Sequence, residues 1–542
     1  MHKEVISAGL AALRTAACGC IMLAGLMLGQ GCSTVPDKGP LTVVRDVRES
    51  AAKRVMAVEI LRETQSAGKR VEGGLIAPRD VYKEIAWTLS QPPKLRAAVV
   101  DSMLNDSDPA VVEDGKELAK LLLPKEATRE VVVAICKNAA MKGWKDFTPA
   151  IVRAYSRTLP GVDESDRVER AALQDLHPGK TVDEVVFGVF VEPPVVPPTE
   201  RIDWTMRYRA DAWNVLARID ETGATRGEML RSASSGSEED SVINAIRACQ
   251  QDLRCLPITG EELTWLSSLR NPARKDNASW WREATEAVAM VPTAFTGPAS
   301  PLMLRHAEPI RWAMVHRREY LTLDRAALLE LLSARMKSRK FIPRTVIEGK
   351  KGTAVTKSEL LAKREGELSW GDVLTILVID EAIREPQVVS TLFAQAQADR
   401  ADRTTEYGGL LAWNRRGASA SRQAAGDAST QGQSPERAVI MLYMPRSAQR
   451  LGDLKFIASD EMVSASDLAL AHYHFHVQIE KNAEYAGPSK GDLEYAQRMG
   501  RSCVVVTSIR EGVMALDYYQ PSLDWKNGLG EGTTIDLGEL SK

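Results

Sequence analysis

The spacing of apolar residues changes near Asp372, and this change limits the possible folds more than any other feature of the chain. Before that point apolar residues recur every three or four positions, as in Leu95, Val99 and Met103, which is the period of an amphipathic helix. After it, short apolar runs of the kind that form strands are interspersed with helical segments. The sequence therefore predicts a multidomain α + α/β protein, with a helical N-terminal region and a C-terminal domain built on a mixed sheet.

The elements of the C-terminal part follow from the same patterns. The predicted strands are Tyr407–Trp413, Ala438–Met444, Leu468–Val477, Cys503–Ser508, Val513–Tyr519 and Thr533–Leu537. The predicted helices are Asp372–Ile383, Gln387–Asp399 and Gly491–Met499. Helices that connect several strands in this way are typical of an α/β domain.

One part of the helical region resembles a HEAT-type repeat unit. Leu95–Leu104 has the pattern of one helix, and Asp108 followed by Pro109 starts the next as an N-cap with proline in the first helical position. We expect four apolar residues on one face of that second helix, namely Val112, Leu118, Leu121 and Leu122. Because no fixed period runs through the region, an irregular helical domain is the alternative.

Composition sets the expected domain boundaries. They are a signal peptide at 1–31, a tether at 32–42, helical regions at 43–190 and 203–371 with a Pro-rich linker at 191–202 between them, and the α/β domain at 372–542. The segment from Arg335 to Arg364 contains ten Lys and Arg residues and only two acidic residues, Glu348 and Glu359. This basic segment indicates either a solvated linker or a footprint for an anionic surface such as lipid headgroups.

The N-terminus has the pattern of an export signal. Lys3 and Arg14 precede an apolar stretch, Ala16–Gly29, whose fourteen residues are too few to span a bilayer. The stretch leads to Gly31-Cys32 and resembles a bacterial lipoprotein signal, which implies cleavage before Cys32 and lipid attached to that cysteine. The mature protein would then be anchored to a membrane of the cell envelope, facing the periplasm or the surface. An export signal cut elsewhere, with an unmodified Cys32, is the alternative.

Charge and cysteine usage exclude two kinds of site. The chain has 70 basic and 72 acidic residues, so no overall charge attracts it to nucleic acid. Beyond Cys32 its cysteines are Cys136, Cys249, Cys255 and Cys503, and none belongs to a paired CxxC pattern that would bind zinc. Cys249 and Cys255 are close enough in sequence for a small disulfide loop in an oxidising compartment, or they are two buried free thiols.

Three of the seven histidines lie in one predicted strand, at 472, 474 and 476. Alternate residues of a strand share a face, so His472, His474 and His476 project together. Two imidazoles at this spacing can reach one zinc ion, which then needs a third protein ligand. Asp492, at the start of a predicted helix, is the next candidate, although Ser489 and Asp492 also have the spacing of a helix-capping pair.

The whole set resembles the motif of the JAMM (JAB/MPN) metallopeptidases. His474-x-His476 is followed by Ser489-x-x-Asp492, and upstream Glu406 precedes Gly-Gly-Leu-Leu at a helix–strand junction. The resemblance covers 372–542 and implies a JAB/MPN-like fold, with Zn²⁺ bound by His474, His476 and Asp492. It further implies that Glu406 is the general base and that Ser489 stabilises the oxyanion.

Two departures from the family pattern concern the substrate groove. Val477 follows the second histidine, where the family usually has proline, and the interval from His476 to Ser489 is longer than usual. We therefore do not carry the family's substrates over to this chain. His472 shares the ligand face and is expected either to support a ligand or to have a structural role.

The resemblance implies a zinc-dependent peptidase or isopeptidase in a membrane-anchored lipoprotein, acting on a protein or peptide substrate. The alternative is a non-catalytic binding lipoprotein that docks proteins through a JAB/MPN-like fold and helical repeats. A third hypothesis is metal storage or sensing, favoured by the additional His472. Glu406 separates enzyme from docking module, because a pure binding module needs no general base.

Overall fold

The structure of the protein is a computed structural model. It describes residues 38–70, 76–159, 161–195, 203–220, 222–233, 241–297, 301–342, 360–414, 437–452, 456–522 and 532–542. These residues form two compact units, one up to Val112 and the other from Glu113 onward. The expected signal peptide and Cys32 lie outside the described residues, as do positions 343–359 of the basic segment. Within the part that is described, no helix combines the length and the apolar character needed to cross a membrane.

All the regular elements described before residue 402 are helices, which confirms the predicted helical N-terminal region. Its first helices are α1 Pro40–Arg45, α2 Ala51–Thr64, α3 Pro78–Trp87, α4 Pro93–Leu104, α5 Pro109–Leu122, α6 Arg129–Met141, α7 Thr148–Tyr155, α8 Val168–Leu176, α9 Val182–Val191 and α10 Trp204–Ile219. They are followed by α11 Ala224–Ser232, α12 Ser241–Asp252, α13 Gly260–Leu269, α14 Lys275–Ala289, α15 Ala307–His316, α16 Arg325–Lys337, α17 Leu361–Arg364, α18 Trp370–Ile383 and α19 Pro386–Ala401. Two further helices, α20 Asp460–Ala465 and α21 Lys490–Met499, lie among the strands.

Helices α4 and α5 show how capping and periodicity shape the helical region. The Asp108 carboxylate accepts a hydrogen bond of 2.9 Å from the Ala110 amide, and Pro109 occupies the first position of α5 as predicted. The buried apolar residues of α5 are Val111, Leu118, Ala119 and Leu122. The expectation for Leu121 is wrong, because 60% of this residue is exposed. The helical period of 3.6 residues places positions 111, 118 and 122 in one stripe and turns position 121 toward solvent.

Six strands form one mixed sheet. They are β1 Gly408–Trp413, β2 Ala438–Leu442, β3 Ala469–His476, β4 Cys503–Arg510, β5 Val513–Gln520 and β6 Thr533–Ser541. Their spatial order is β2-β1-β3-β4-β5-β6, and every neighbouring pair is antiparallel except β3 and β4. Parallel neighbours need a long crossover, and α21 lies within the segment that connects β3 to β4. The predicted C-terminal α/β part is therefore confirmed at the level of its elements.

Both faces of the central strands are covered by helices. The Tyr473 hydroxyl donates to the Gln395 side chain of α19 at 2.6 Å, while on the other face His472 lies 2.8 Å from the Tyr495 hydroxyl of α21. Seven of the eight residues of β3 are buried, and so are seven of the eight residues of β4. Strands buried on both faces read as nearly continuous apolar runs, which is why the segment 503–508 was recognisable in the sequence.

Residues of α13 and of the start of α14 contact the sheet where β3 and β4 begin. The Asp467 carboxylate, just before β3, accepts hydrogen bonds from Ser268 at 2.5 Å, Arg274 at 2.8 Å and Asn277 at 3.2 Å. The Arg501 guanidinium, just before β4, lies over the Trp265 ring at 3.2 Å from its centroid. This part of the helical region is thus packed directly on the sheet within the second compact unit.

Candidate metal centre

Two imidazole groups converge at the C-terminal end of β3. His474 and His476 occupy alternate positions of the strand and point to the same face. Their Nε2 atoms are 3.3 Å apart. Two nitrogen ligands of one tetrahedral zinc ion, each about 2.0–2.1 Å from the metal, are separated by about 3.4 Å. The strand therefore presents both nitrogens at the spacing of a single zinc ion.

Separate contacts orient the two rings. His476 lies with Nδ1 2.9 Å from the Tyr485 carbonyl oxygen, which can only accept, so this nitrogen carries the proton and leaves the Nε2 lone pair available. His474 has Nδ1 3.3 Å from the Tyr519 hydroxyl, and Phe456 stacks on its ring with centroids 5.3 Å apart. Burial and the neighbouring His474 lower the pKa of His476 to about 4. His476 is accordingly neutral at physiological pH, the state in which imidazole binds metals.

Asp492 reaches the two histidines from the first turn of α21. Its Oδ1 atom is 3.3 Å from His474 Nε2, and its Oδ2 atom is 3.7 Å from His476 Nε2. The carboxylate also accepts a hydrogen bond of 2.6 Å from the Ser489 amide. Burial alone would raise the pKa of Asp492, but His474, His476 and the Ser489 amide together hold it well below its ordinary range. An ionised carboxylate at this point matches the third ligand of a zinc site.

Ser489 is the N-cap of α21. Its Oγ atom accepts a hydrogen bond of 3.3 Å from the Asp492 amide, and together the two residues form a capping box. The capping interpretation is therefore confirmed, and it is compatible with a ligand role, since the capping contact fixes the carboxylate near the histidines. The Ser489 hydroxyl still has a hydrogen to donate because it acts as an acceptor in the cap.

Glu406 lies close to His476, two residues before the start of β1. Its Oε1 atom is 3.7 Å from His476 Nε2, and the side chain is buried. The backbone on either side is fixed, because Thr405 pairs with Gly452 and the Tyr407 amide donates to Asp399. Glu406 thus lies beside His476, within reach of the cluster.

Two different triads fit a metal ion in this cluster. Ligand atoms of Glu406, His474 and His476 all lie within 4.8 Å of one another, and Asp492 forms a second triad with the same histidines. Asp492 lies within 3.3 Å of His474 Nε2 and 3.7 Å of His476 Nε2, and Glu406 Oε1 lies 3.7 Å from His476 Nε2. The shortest of these carboxylate contacts belongs to Asp492, and both carboxylates lie within reach of a metal ion held by the two histidines.

Solvent reaches the cluster from one side. The side chains of His476 and Asp492 are 14% and 15% exposed, while those of His474 and Glu406 are 2% and 4% exposed. A catalytic zinc ion has three protein ligands and an open fourth position for water or substrate. The partial exposure of two ligands gives such a position access to solvent.

His472 does not join the cluster. Its Nδ1 atom lies 2.8 Å from the Tyr495 hydroxyl, and its buried Nε2 atom makes no hydrogen bond. Burial, with a smaller contribution from Arg501, lowers the pKa of His472 well below its ordinary value, so the ring is neutral. Tyr495 lies one turn after Asp492 in α21. His472 therefore connects β3, the strand of His474 and His476, to the helix that carries Asp492.

Sequence reasoning missed the residues that support the ligands. These residues are Tyr485, Tyr519 and Phe456, and none of them belongs to a short sequence motif. Each is brought into contact with its histidine only when the chain folds. One signal was present in the Gly-Gly pair after Glu406, because a Cβ atom at Gly408 would collide with the Phe456 ring that covers His474.

Comparison of this chain with protein-family models, with curated protein sequences and with solved structures finds no match.

Proposed function

We propose that the chain is a zinc-dependent hydrolase that cleaves a peptide or isopeptide bond, similar in its centre to the JAMM metallopeptidases. One observation carries the proposal: His474 Nε2 lies 3.3 Å from both His476 Nε2 and Asp492 Oδ1. Both separations match the edge of a tetrahedral zinc site, which is about 3.4 Å. The two imidazoles and the carboxylate would hold the metal.

Each residue of the centre has a chemical role in this proposal. Bound zinc lowers the pKa of a coordinated water molecule toward neutrality. Glu406, beside His476, accepts the proton of the attacking water and delivers it to the leaving amine. The Ser489 hydroxyl donates a hydrogen bond to the oxygen that becomes negatively charged in the transition state.

A closed metal site is the second candidate function, and one distance favours it. Glu406 Oε1 and Asp492 Oδ2 are both 3.7 Å from His476 Nε2. If both carboxylates bound the metal, two imidazoles and two carboxylates would complete a tetrahedron and leave no position for water. Such a site would store or sense a metal, or stabilise a docking domain, without hydrolysis.

Zinc content in four variants decides between these functions. We expect near-stoichiometric zinc in the wild type and in Glu406→Gln, and severe loss in His474→Ala and Asp492→Asn, measured by plasma emission on folded protein. His177→Ala is the matched control, because His177 lies outside the cluster and contacts Thr148. Loss of zinc from Glu406→Gln to the level of Asp492→Asn would instead support the closed site.

Hydrolysis supplies the second readout. With pools of fluorescence-quenched peptides and lysine-linked isopeptides as substrates, Glu406→Gln should retain zinc while its rate falls about 10²–10⁴-fold, the usual contribution of a general base. The wild-type rate should disappear on zinc removal by a chelator and return on adding zinc back. A zinc-loaded Glu406→Gln protein with wild-type activity would contradict the assignment of the base.

We further propose that the mature protein is a lipoprotein of the cell envelope. The support is the apolar stretch that ends at Gly31-Cys32. Intact-mass measurement of the membrane fraction should show loss of residues 1–31 and a lipid on Cys32. Release of the Cys32→Ser protein from the membrane is the expected companion result, and full retention would contradict the anchor.

The helical region is proposed to act as a scaffold that docks protein partners or substrates. Its support is the order of elements from α4 to α5, in which an Asp-Pro turn separates two helices as in a HEAT-type unit. Helical arrays of this kind present extended surfaces for binding.

A further inference from the structure

Cys249 and Cys255 place two thiol groups in contact. Cys249 lies in the last turn of α12, Cys255 lies in the loop that follows, and their Sγ atoms are 3.3 Å apart. Both residues are buried, with exposures of 0% and 5%, and both thiols are free. We propose that this pair is a modification site that forms a disulfide bond when the protein folds under oxidising conditions.

The loop between the two cysteines has a backbone that holds them together. Arg254 has a φ of +54°, the left-handed region that non-glycine residues rarely occupy. Its guanidinium donates to the carbonyl oxygens of Val288 and Val291, so contacts with α14 and the residues after it offset the strain. The chain thereby returns onto α12, where the Cys255 amide donates to the Cys249 carbonyl oxygen at 3.4 Å.

The sulfur atoms need little movement to bond. A disulfide has an S–S separation of about 2.0 Å, so the two sulfurs must approach by about 1.3 Å. Rotation about the Cα–Cβ bonds of Cys249 and Cys255 changes this separation directly. The same short loop that strains Arg254 therefore brings the thiols close to bonding geometry.

The reaction requires an external disulfide as oxidant. The thiolate of one cysteine attacks a sulfur of that disulfide, which forms a mixed disulfide and releases one thiol. The second cysteine then attacks the mixed disulfide, forms the Cys249–Cys255 bond and releases the second thiol. The chain loses two protons and two electrons, and the oxidant is reduced to two thiols.

Burial fixes when this exchange takes place. Contact with Cys255 and burial raise the pKa of Cys249 well above its ordinary value, and both cysteines are shielded from an external disulfide in the folded chain. Oxidation therefore precedes the burial of the loop, during folding. The bond would fix the loop that leads into α13, the helix whose Trp265 packs against Arg501 below the sheet.

The test is a refolding experiment with peptide mapping. The full chain is denatured, reduced, refolded in a buffer of reduced and oxidised glutathione, alkylated under denaturing conditions and digested with trypsin. Trypsin cuts after Arg254, between the two cysteines, so the disulfide joins peptides 248–254 and 255–270. We expect this linked pair to dominate, and reductant added before alkylation should abolish it.

Cys136 and Cys503 are internal controls in the same digest. Each is buried, and among the described residues neither contacts another cysteine. Both should be alkylated in the oxidised sample. Alkylation of Cys249 and Cys255 to the same extent as Cys136 would overturn the proposal. Glutathione supplies the oxidant, so the result depends neither on export nor on the proposed zinc chemistry.

Thermal unfolding gives a second, independent readout. Because a disulfide restricts the unfolded chain, reductant should lower the unfolding midpoint of the oxidised wild type by several degrees. It should have the same effect on Cys136→Ser and none on Cys255→Ser. An equal decrease in Cys255→Ser would show that a different bond stabilises the fold.

Discussion

At the level of single residues, the two histidines of the cluster are held by chemically different partners. His476 donates to a backbone carbonyl oxygen, which side-chain substitution cannot remove, whereas His474 faces the side-chain hydroxyl of Tyr519. The groups behind metal-bound imidazoles fix ring orientation and basicity, and their loss typically costs about 10–100-fold in metal affinity. The contact of His474 with Tyr519 is therefore the one that a single side-chain substitution can remove.

Tyr519→Phe should weaken zinc binding about 10–100-fold without unfolding the domain, since only the hydroxyl is removed. Competition against a chromophoric chelator measures the affinity. The neighbouring Tyr518→Phe is the matched control, because the Tyr518 hydroxyl bonds to Gln520 at 2.7 Å and to Ser502 at 3.2 Å. Equal zinc affinity in the two variants would contradict the positioning role of Tyr519.

At the level of elements, the cluster is assembled by the ends of β3, β1 and α21. The strand pattern of Cys503–Ser508 was predicted to within two residues of the observed β4, and the α21 prediction to within one. Helix α20 and the parallel pairing of β3 with β4 were not foreseen. Local periodicity reports which residues are buried, but the choice of neighbouring strand depends on contacts between distant segments. For the same reason the ligands were recognisable as a motif, while Tyr519, 45 positions from His474, was not.

Asp467 is the contact that connects α13 and α14 to the start of β3, and it gives a prediction at this scale. Asp467→Ala leaves three donors, Ser268, Arg274 and Asn277, without their shared acceptor. We expect a loss of about 2–3 kcal/mol in the free energy of unfolding, measured by chemical denaturation. Asp460→Asn, an exposed carboxylate in α20, should change it by less than about 0.5 kcal/mol. Equal losses in Asp467→Ala and Asp460→Asn would mean that the Asp467 contacts do not stabilise the packing of α13 and α14 on the sheet.

At the level of the whole molecule, the sheet and the helices from residue 113 onward are one compact unit. The sheet that carries the His474–His476 cluster is thus packed on helices that precede it in the chain. The contact between Glu262 of α13 and Gly500 shows how close this packing is. Gly500 ends α21 in the left-handed conformation. A Cβ atom at position 500 would collide with the Glu262 side chain, so the glycine leaves room for that carboxylate. Burial raises the pKa of Glu262 to about 7.

This buried carboxyl group predicts how stability depends on pH. Its folded pKa lies above its ordinary value of 4.5, so the folded state binds more protons than the unfolded state between about pH 4.5 and pH 7. The contribution of Glu262 to stability therefore falls as the pH rises through that range. Glu262→Gln should remove this decrease, seen as a pH-dependent difference between the unfolding midpoints of variant and wild type. A constant difference would show that Glu262 is ionised in the folded protein.

Anomalous diffraction at the zinc absorption edge, on crystals of the zinc-loaded chain, tests the central claim most directly. We predict one anomalous peak about 2.0–2.2 Å from His474 Nε2, His476 Nε2 and one Asp492 oxygen, with the Glu406 carboxylate outside the coordination sphere. The absence of a peak at this cluster would contradict the zinc centre. A peak bound by Glu406 in place of Asp492, or by both carboxylates in a closed tetrahedron, would contradict the hydrolase.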